Sequence, residues 1–398
     1  MNSTASDARR NVGLLAACQA MLFTNNSTLI AINGLAGLAL APYAALATLP
    51  VTCWVLGGAI GTMPASMHMK RVGRQRGLTM GTLWGVVGAL MAASAIWMQS
   101  FWLLCLSTLV WGVYNAYGQY YRFAAADVAS PDFRATAISL VLAGGLVGGL
   151  VGPTLSRATI ELAGPRFMGA YLALIAFAIA TMVILRFIRI PSPTATERTA
   201  AGRPLAQIAA QPKYIVAVLS GAIGYGVMNF LMTSTPIAMR ACGHPYGDAA
   251  FVISWHVVGM FLPSLFTGRL IRAAGVLPVM AAGVLLNFAA IGIALSGIAV
   301  AQFWWSMVVL GVGWNFLYIG GTTLLTETYR PEERAKAQGT NEQAIFIMMA
   351  ISSVSSGLTV TTAGWERVNL FALPLVATVL IGIVWFALHE RARKAAAA

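Results

Sequence analysis

The chain has 398 residues, of which 58% are hydrophobic and 9% charged, against about a quarter charged in a soluble domain. So little polar surface cannot enclose so much apolar material, which excludes a water-soluble globule and points to a polytopic protein in a lipid bilayer. The net charge of +13 comes from basic residues scattered singly or in small groups between apolar runs, a pattern of orientation signals rather than of a nucleic-acid surface.

In chain order, Met1–Arg10 is polar and leads into an apolar run with no small-residue cleavage site, so no removable signal peptide is expected. Apolar runs of about 20 residues, punctuated by Gly, Pro and charges, read as spanning helices. Twelve are expected, at 12–34, 42–66, 77–98, 101–122, 135–157, 167–187, 214–238, 248–268, 278–297, 303–325, 342–362 and 369–388. The polar, Pro-containing stretch 189–213 interrupts them. The expected organisation is therefore a six-helix bundle at 1–188, a cytoplasmic linker at 189–213 and a second six-helix bundle at 214–398. The four cysteines, Cys18, Cys53, Cys105 and Cys242, form no CxxC pair, so no disulfide framework is expected.

Placing both termini and the linker inside puts 21 Lys and Arg residues on inner segments. Only Arg157, Arg166, Arg240 and Arg367 fall on outer loops. That asymmetry orients the termini to the cytoplasm.

The halves repeat each other. Asp127-x-x-x-Pro131-Asp132-x-Arg134-Ala135-x-Ala137 recurs 200 residues later as Glu327-x-x-x-Pro331-Glu332-x-Arg334-Ala335-x-Ala337. Two such repeats around a pathway suit a transporter that rocks open to either side. The loop Ser66-x-x-x-Lys70-Arg71-Val72-Gly73-Arg74-Gln75 has a partial second copy in Gly268-x-x-x-Arg272-Ala273-Ala274-Gly275. With the glycine-rich run Gly144–Pro153, these features resemble the major facilitator superfamily. In the first copy, Ser66 and Lys70 stand where that family's loop carries Gly and an acidic residue. The resemblance implies an all-α membrane protein of twelve helices in two six-helix pseudo-repeats, with the glycine run allowing close helix approach.

No Asp or Glu lies deep within an expected span; Arg122 and Glu342 fall at span ends. That argues against an ordinary proton-coupled carrier, which keeps a costly intramembrane carboxylate for use. The titratable ring well inside a span is His256. Met228 and Met232 on the seventh span, and His256 and Met260 on the eighth, are each spaced i, i+4 and so share a helix face. Three thioethers and an imidazole at overlapping depths would favour copper(I) over hard cations, although the same spacing serves core packing. Adding 202 to Asn26 and Trp54 reaches Met228 and His256, so such a site would be one-sided. A polar-aromatic set, Asn25, Asn26, Tyr114, Asn115, Tyr117 and Gln119 with Trp314, Asn315 and Tyr318, could instead receive a flat organic solute.

The segment Gly313–Glu327, with MxxxM on helix seven and HxxxM on helix eight, resembles the CcoA-type bacterial copper importers. That resemblance implies copper import across the bacterial inner membrane for assembly of a cbb3-type cytochrome c oxidase. Its metal ligands would map onto Met228, Met232, His256 and Met260. Copper would then be cargo, with no resident cofactor, and the carrier would act as a monomer. A sister group with a similar tenth helix transports riboflavin, so a small organic solute stands as the alternative. No nucleophile–base pair or phosphate-binding loop points to an enzyme.

Overall fold

The computed structural model describes residues 5–43 and 46–397. Among them the regular structure is helical. In order these are α1 (Ala5–Leu40), α2 (Leu49–Val72), α3 (Arg74–Trp97), α4 (Phe101–Gly118), α5 (Tyr121–Val128), α6 (Pro131–Thr159), α7 (Met168–Arg186), and the short α8 (Ala195–Thr199) and α9 (Leu205–Ala209). Then follow α10 (Pro212–Ala241), α11 (Tyr246–Phe261), a 3₁₀ turn (Leu262–Leu265), α12 (Thr267–Ala274), α13 (Val276–Leu295), α14 (Val300–Leu325) and α15 (Arg334–Ala397). α15 is two helices joined at Gly364, whose φ of 80° leaves the helical region. Nine described helices are long and apolar enough to cross a membrane, the last counted as one across Gly364. With α15 counted as two and the less apolar α2 and α4 added, the expected all-α, twelve-helix architecture holds.

The departures have local causes. Proline occupies the first turn of α2, α6 and α10, where its missing N–H costs nothing. The second span therefore starts at Leu49 rather than 42; residues 44 and 45 of the expected start lie outside the described residues, as does Met1–Thr4 of the polar lead. The expected fourth span is broken between Gly118 and Tyr121. The eighth is broken near Pro263, which brings no N–H to the helical ladder. The eleventh starts at Arg334, two turns ahead of the expected 342. Gly73 and Gly275, 202 residues apart, both sit at φ near 90° (92° and 91°) between consecutive helices. A side chain would be strained at either position, so the turn is repeated in both halves.

The chain divides into two compact units. Unit 1 comprises Met1–Pro131, Leu140–Ala201 and Pro331–Phe346. In it α4 packs on α2 and α3, and α7 on α1 and α3. Gly144, Gly148 and Gly152 on one face of α6 lie against the α1 backbone at Ala16, Ala20 and Thr24, where a Cβ would collide. Thr28 Oγ1 donates to Gly152 O at 3.0 Å across that contact, so the glycine run does permit close approach. Unit 2 comprises Asp132–Ser139, Gly202–Arg330 and Ile347–Ala398. Its centre is α14, against which α10, α11 and α13 pack.

Candidate functional site

In unit 1 the α4–α5 break organises a chain of buried polar groups. Asn26 Nδ2 on α1 donates to Asn115 Oδ1 at 2.8 Å. Gln119 Nε2 donates to the same oxygen at 3.3 Å. Arg122 Nη1 donates to the Gln119 carbonyl at 2.8 Å. Arg122 Nη2 reaches Glu342 Oε1 at 2.5 Å, with the two side chains 2% and 0% exposed. Asn341 Nδ2 donates to that same carboxylate oxygen at 2.7 Å. Two acceptors in the chain, Asn26 Oδ1 and Glu342 Oε2, are buried without a hydrogen-bond partner. The Arg122 guanidinium also lies over the Phe123 ring, 4.6 Å from its centroid.

The other residues expected to line a solute path in this half also pack within it, and Asn25 Oδ1 and the Tyr114 hydroxyl are buried without a hydrogen-bond partner. Asn25 Nδ2 turns to the Leu174 carbonyl on α7, 3.4 Å away. Tyr114 is fully buried, edge-on to Trp111 with centroids 5.3 Å apart. The Tyr117 hydroxyl shares a 2.8 Å hydrogen bond with His68 Nδ1.

A second charged cluster sits one helical turn nearer the start of α15. Arg74 Nε pairs with Asp127 Oδ2 at 3.0 Å, and Arg334 Nη1 reaches the same oxygen at 3.2 Å. Arg74 Nη2 donates to Gln338. These groups border a cavity of about 240 Å³ that also takes in Ser66, Lys70 and the Pro191–Thr194 stretch. Neither charged cluster was legible from the sequence as a buried group. Glu342 was expected at a span end, and the early start of α15 at Arg334 carries it inside the fold instead. The available signal was a lone acid followed by apolar residues and preceded by Gln338 and Asn341 at helical spacing.

In unit 2 the rings of Trp314 and Tyr318 stack at 4.8 Å with 18° between planes. Tyr225 of α10 meets both edge-on, at 5.3 and 5.5 Å. Phe261 closes the group at 5.8 Å from Trp314. Trp314 is 1% exposed, while Tyr225 is only half-buried and is the accessible ring. Asn315 has a different task. Its Nδ2 donates to Met260 O at 2.7 Å and Ser264 Oγ at 2.6 Å, and its Oδ1 accepts from Thr267 Oγ1 at 2.7 Å. It staples the break between α11 and α12 and has little left to offer a solute.

Of the four expected metal ligands, Met228, His256 and Met260 are buried and Met232 is half-buried. They stand on α10 and α11, which pack on each other and on α14. Gly311 lets α14 approach so closely that a Cβ there would lie 2.7 Å from the His256 carbonyl. His256 Nδ1 then meets Met307 O at 2.7 Å. A carbonyl can only accept, so Nδ1 carries the hydrogen and Nε2 holds the lone pair. Nε2 is buried without a partner. Met307 Sδ in turn lies 3.2 Å from Thr235 Oγ1 of α10. Among the described residues no group of three His, Cys, Asp or Glu could hold a metal ion, a count that leaves methionine aside.

The family model of the Major Facilitator Superfamily matches residues 14–254 and 216–398. Riboflavin transporter RfnT of Brucella anthropi is 41% identical over 388 residues, 96% of each chain. The transporter YdeG of Bacillus subtilis, described only as MFS-type, is 30% identical over 86% of this chain and 83% of its own. Among solved structures, human organic anion transporter MFSD10 superposes with a TM-score of 0.76 at 12% identity, covering 94% of this chain and 99% of that one. The Escherichia coli fucose:proton symporter FucP gives 0.74 at 14%, covering 94% and 98%. At such identities the structures speak for fold alone.

The 41% relative overturns one expectation. Copper as cargo and partner, and a role in cytochrome oxidase biogenesis, are corrected: full-length similarity runs to a protein named for riboflavin. The physical reason the sequence misled lies in packing. The HxxxM face of α11 is also the face that α14 approaches at Gly311, so helical spacing of His256 and Met260 is what close packing requires there.

Proposed function

The chain belongs to the major facilitator superfamily, a multi-pass membrane transporter and not an enzyme, and we propose that it carries a flat, polyhydroxylated organic solute of the riboflavin type. The observation that carries this reading is the 41% identity across 96% of both chains to Riboflavin transporter RfnT.

The chemistry within each unit supports it. A fused aromatic ring system stacks on aromatic side chains, and Tyr225, backed by Trp314 and Tyr318, offers such a surface in unit 2. Unit 1 separately holds a buried polar group of Asn26, Asn115 and Gln119, with Asn26 Oδ1 still able to accept a hydrogen bond from a polar solute. Alternating access by two six-helix repeats moves the solute. The Lys and Arg asymmetry supports cytoplasmic termini, and the bacterial relatives support the inner membrane.

The test is growth. A bacterial riboflavin auxotroph lacking its own carrier should grow on low riboflavin when it expresses this chain. The Tyr225→Ala variant should need more riboflavin for the same growth. No growth advantage, with the protein present in the membrane, would remove riboflavin as the cargo.

A further inference from the structure

We propose that Cys53 and Cys105 form a disulfide modification site at the outer end of unit 1, tying α2 to α4. The placement rests on the reading of both termini as cytoplasmic, and nothing in it depends on the identity of the solute.

The register of the two helices brings this pair together. α2 and α4 run in the same direction: a Cβ on Gly57 would strike the Leu109 carbonyl, and one on Gly61 would lie 3.1 Å from Val113 Cα. Both contacts join residues 52 apart. One turn earlier on each helix, the same offset joins Cys53 to Cys105. Gly112 of α4 returns the contact, since a Cβ there would meet the Trp54 carbonyl. Helices packed on side chains stand about 8–10 Å apart, whereas a disulfide needs Cα atoms roughly 4.4–6.8 Å apart. Glycines on both helices close that gap. The two thiols stand within hydrogen-bonding reach of each other, so the sulfurs have little further to travel.

The compartment suits the bond. Each cysteine is the fifth residue of its helix, about 6 Å along at 1.5 Å per residue. Both helices begin on the face that the Lys and Arg asymmetry assigns to the outside, where disulfides form and persist. The second repeat carries Trp255 and Met307 at the positions 202 residues on, so the site belongs to unit 1 alone. Cys53 is half-buried and Cys105 is 6% exposed, which sets the order of events. The Cys53 thiol loses its proton to water, and its sulfur attacks the disulfide of a disulfide-bearing oxidant outside the membrane. A mixed disulfide forms and one oxidant sulfur leaves as thiolate. Cys105, deprotonated in turn, displaces the second oxidant sulfur and closes the Cys53–Cys105 bond. Two thiols become one disulfide, two electrons reduce the oxidant to a dithiol, and its sulfurs take up the two protons. The closed loop contains α3, and the bond restricts the unfolded chain.

The test uses the full chain purified from bacterial membranes without reductant and blocked with N-ethylmaleimide after denaturation. Intact mass should show two adducts, on Cys18 and Cys242, rising to four after reduction. Proteolysis should release two peptides joined through Cys53 and Cys105. Reductant should lower the native unfolding temperature by roughly 5 °C. Cys53→Ser should start at the lower value, carry three adducts and ignore reductant, while Cys242→Ser should respond as the native chain does. Four adducts on the unreduced native chain, a bond through Cys18 or Cys242, an unfolding temperature that reductant leaves unchanged, or an equal response in Cys53→Ser would each overturn the proposal. Four adducts that fall to two only after diamide treatment of the purified chain would overturn it through the outward placement, with the helix register intact.

Discussion

The two copies of one sequence motif meet opposite fates. Asp127 of the first repeat is 8% exposed and bridges Arg74 and Arg334. Its counterpart 200 residues on, Glu327, is 43% exposed and pairs with Lys213 at 2.8 Å, itself 32% exposed. The repeated segment opens α6 directly at Pro131 but forms a 3₁₀ turn at Pro331–Glu333 ahead of α15, and of the two acids only Asp127 is buried. The half-sites differ in the same way. Unit 1 concentrates buried charge and polar chains, whereas unit 2 offers stacked rings and an asparagine spent on backbone. Symmetry in sequence thus supports asymmetry in chemistry: buried charge and polar hydrogen bonds in one unit, stacked rings in the other.

Breaking the buried pair should produce the largest effect. Arg122→Ala leaves Glu342 without its counter-charge, which costs about 3–5 kcal/mol for a buried pair and should appear as a large drop in the thermal unfolding temperature of the purified protein. Arg122→Leu combined with Glu342→Leu should recover most of that stability in the same assay, because two apolar side chains need no solvation. Asp127→Ala should follow closely, since it strips two arginines of one shared carboxylate. Glu327→Ala, the matched change in the second repeat, should cost less than about 1 kcal/mol, as exposed pairs do. Equal losses from these two in the same unfolding assay would erase the contrast between the repeats.

Smaller effects sharpen the ring side. Tyr225→Ala should raise the riboflavin KM about fivefold, the equivalent of about 1 kcal/mol of stacking, with Tyr225→Phe close to the native value. A copper chelator added to transport assays should leave riboflavin uptake unchanged in the native chain.

Much of the fold was legible because bilayer thickness dictates apolar run length, and the runs at 77–98, 167–187 and 278–297 match α3, α7 and α13 within three residues. Helical extensions beyond the apolar core were not legible, since charge ends a hydropathy run without ending a helix. α15 is the example: its polar first turns place Gln338 and Glu342 inside the fold. Helix breaks were equally hidden. The Asn315 staple depends on where Pro263 interrupts α11, and no periodicity reveals which carbonyls are freed. The candidate site was legible in part: Asn26, Asn115 and Gln119 stand out as polar residues within apolar runs and are joined by hydrogen bonds, whereas Tyr225 carries no such signal beside Trp314. His256 stood out because it is rare within an apolar run, and rarity alone did not distinguish a ligand from a ring anchored to the Met307 carbonyl.

The most direct measurement is titration of riboflavin fluorescence with the purified protein in detergent. Stacking on an aromatic cluster quenches the flavin, so the account predicts saturable quenching that unlabelled competitor solutes of other shapes do not reverse and that weakens in Tyr225→Ala. Quenching that never saturates, or that matches empty detergent micelles, would contradict it.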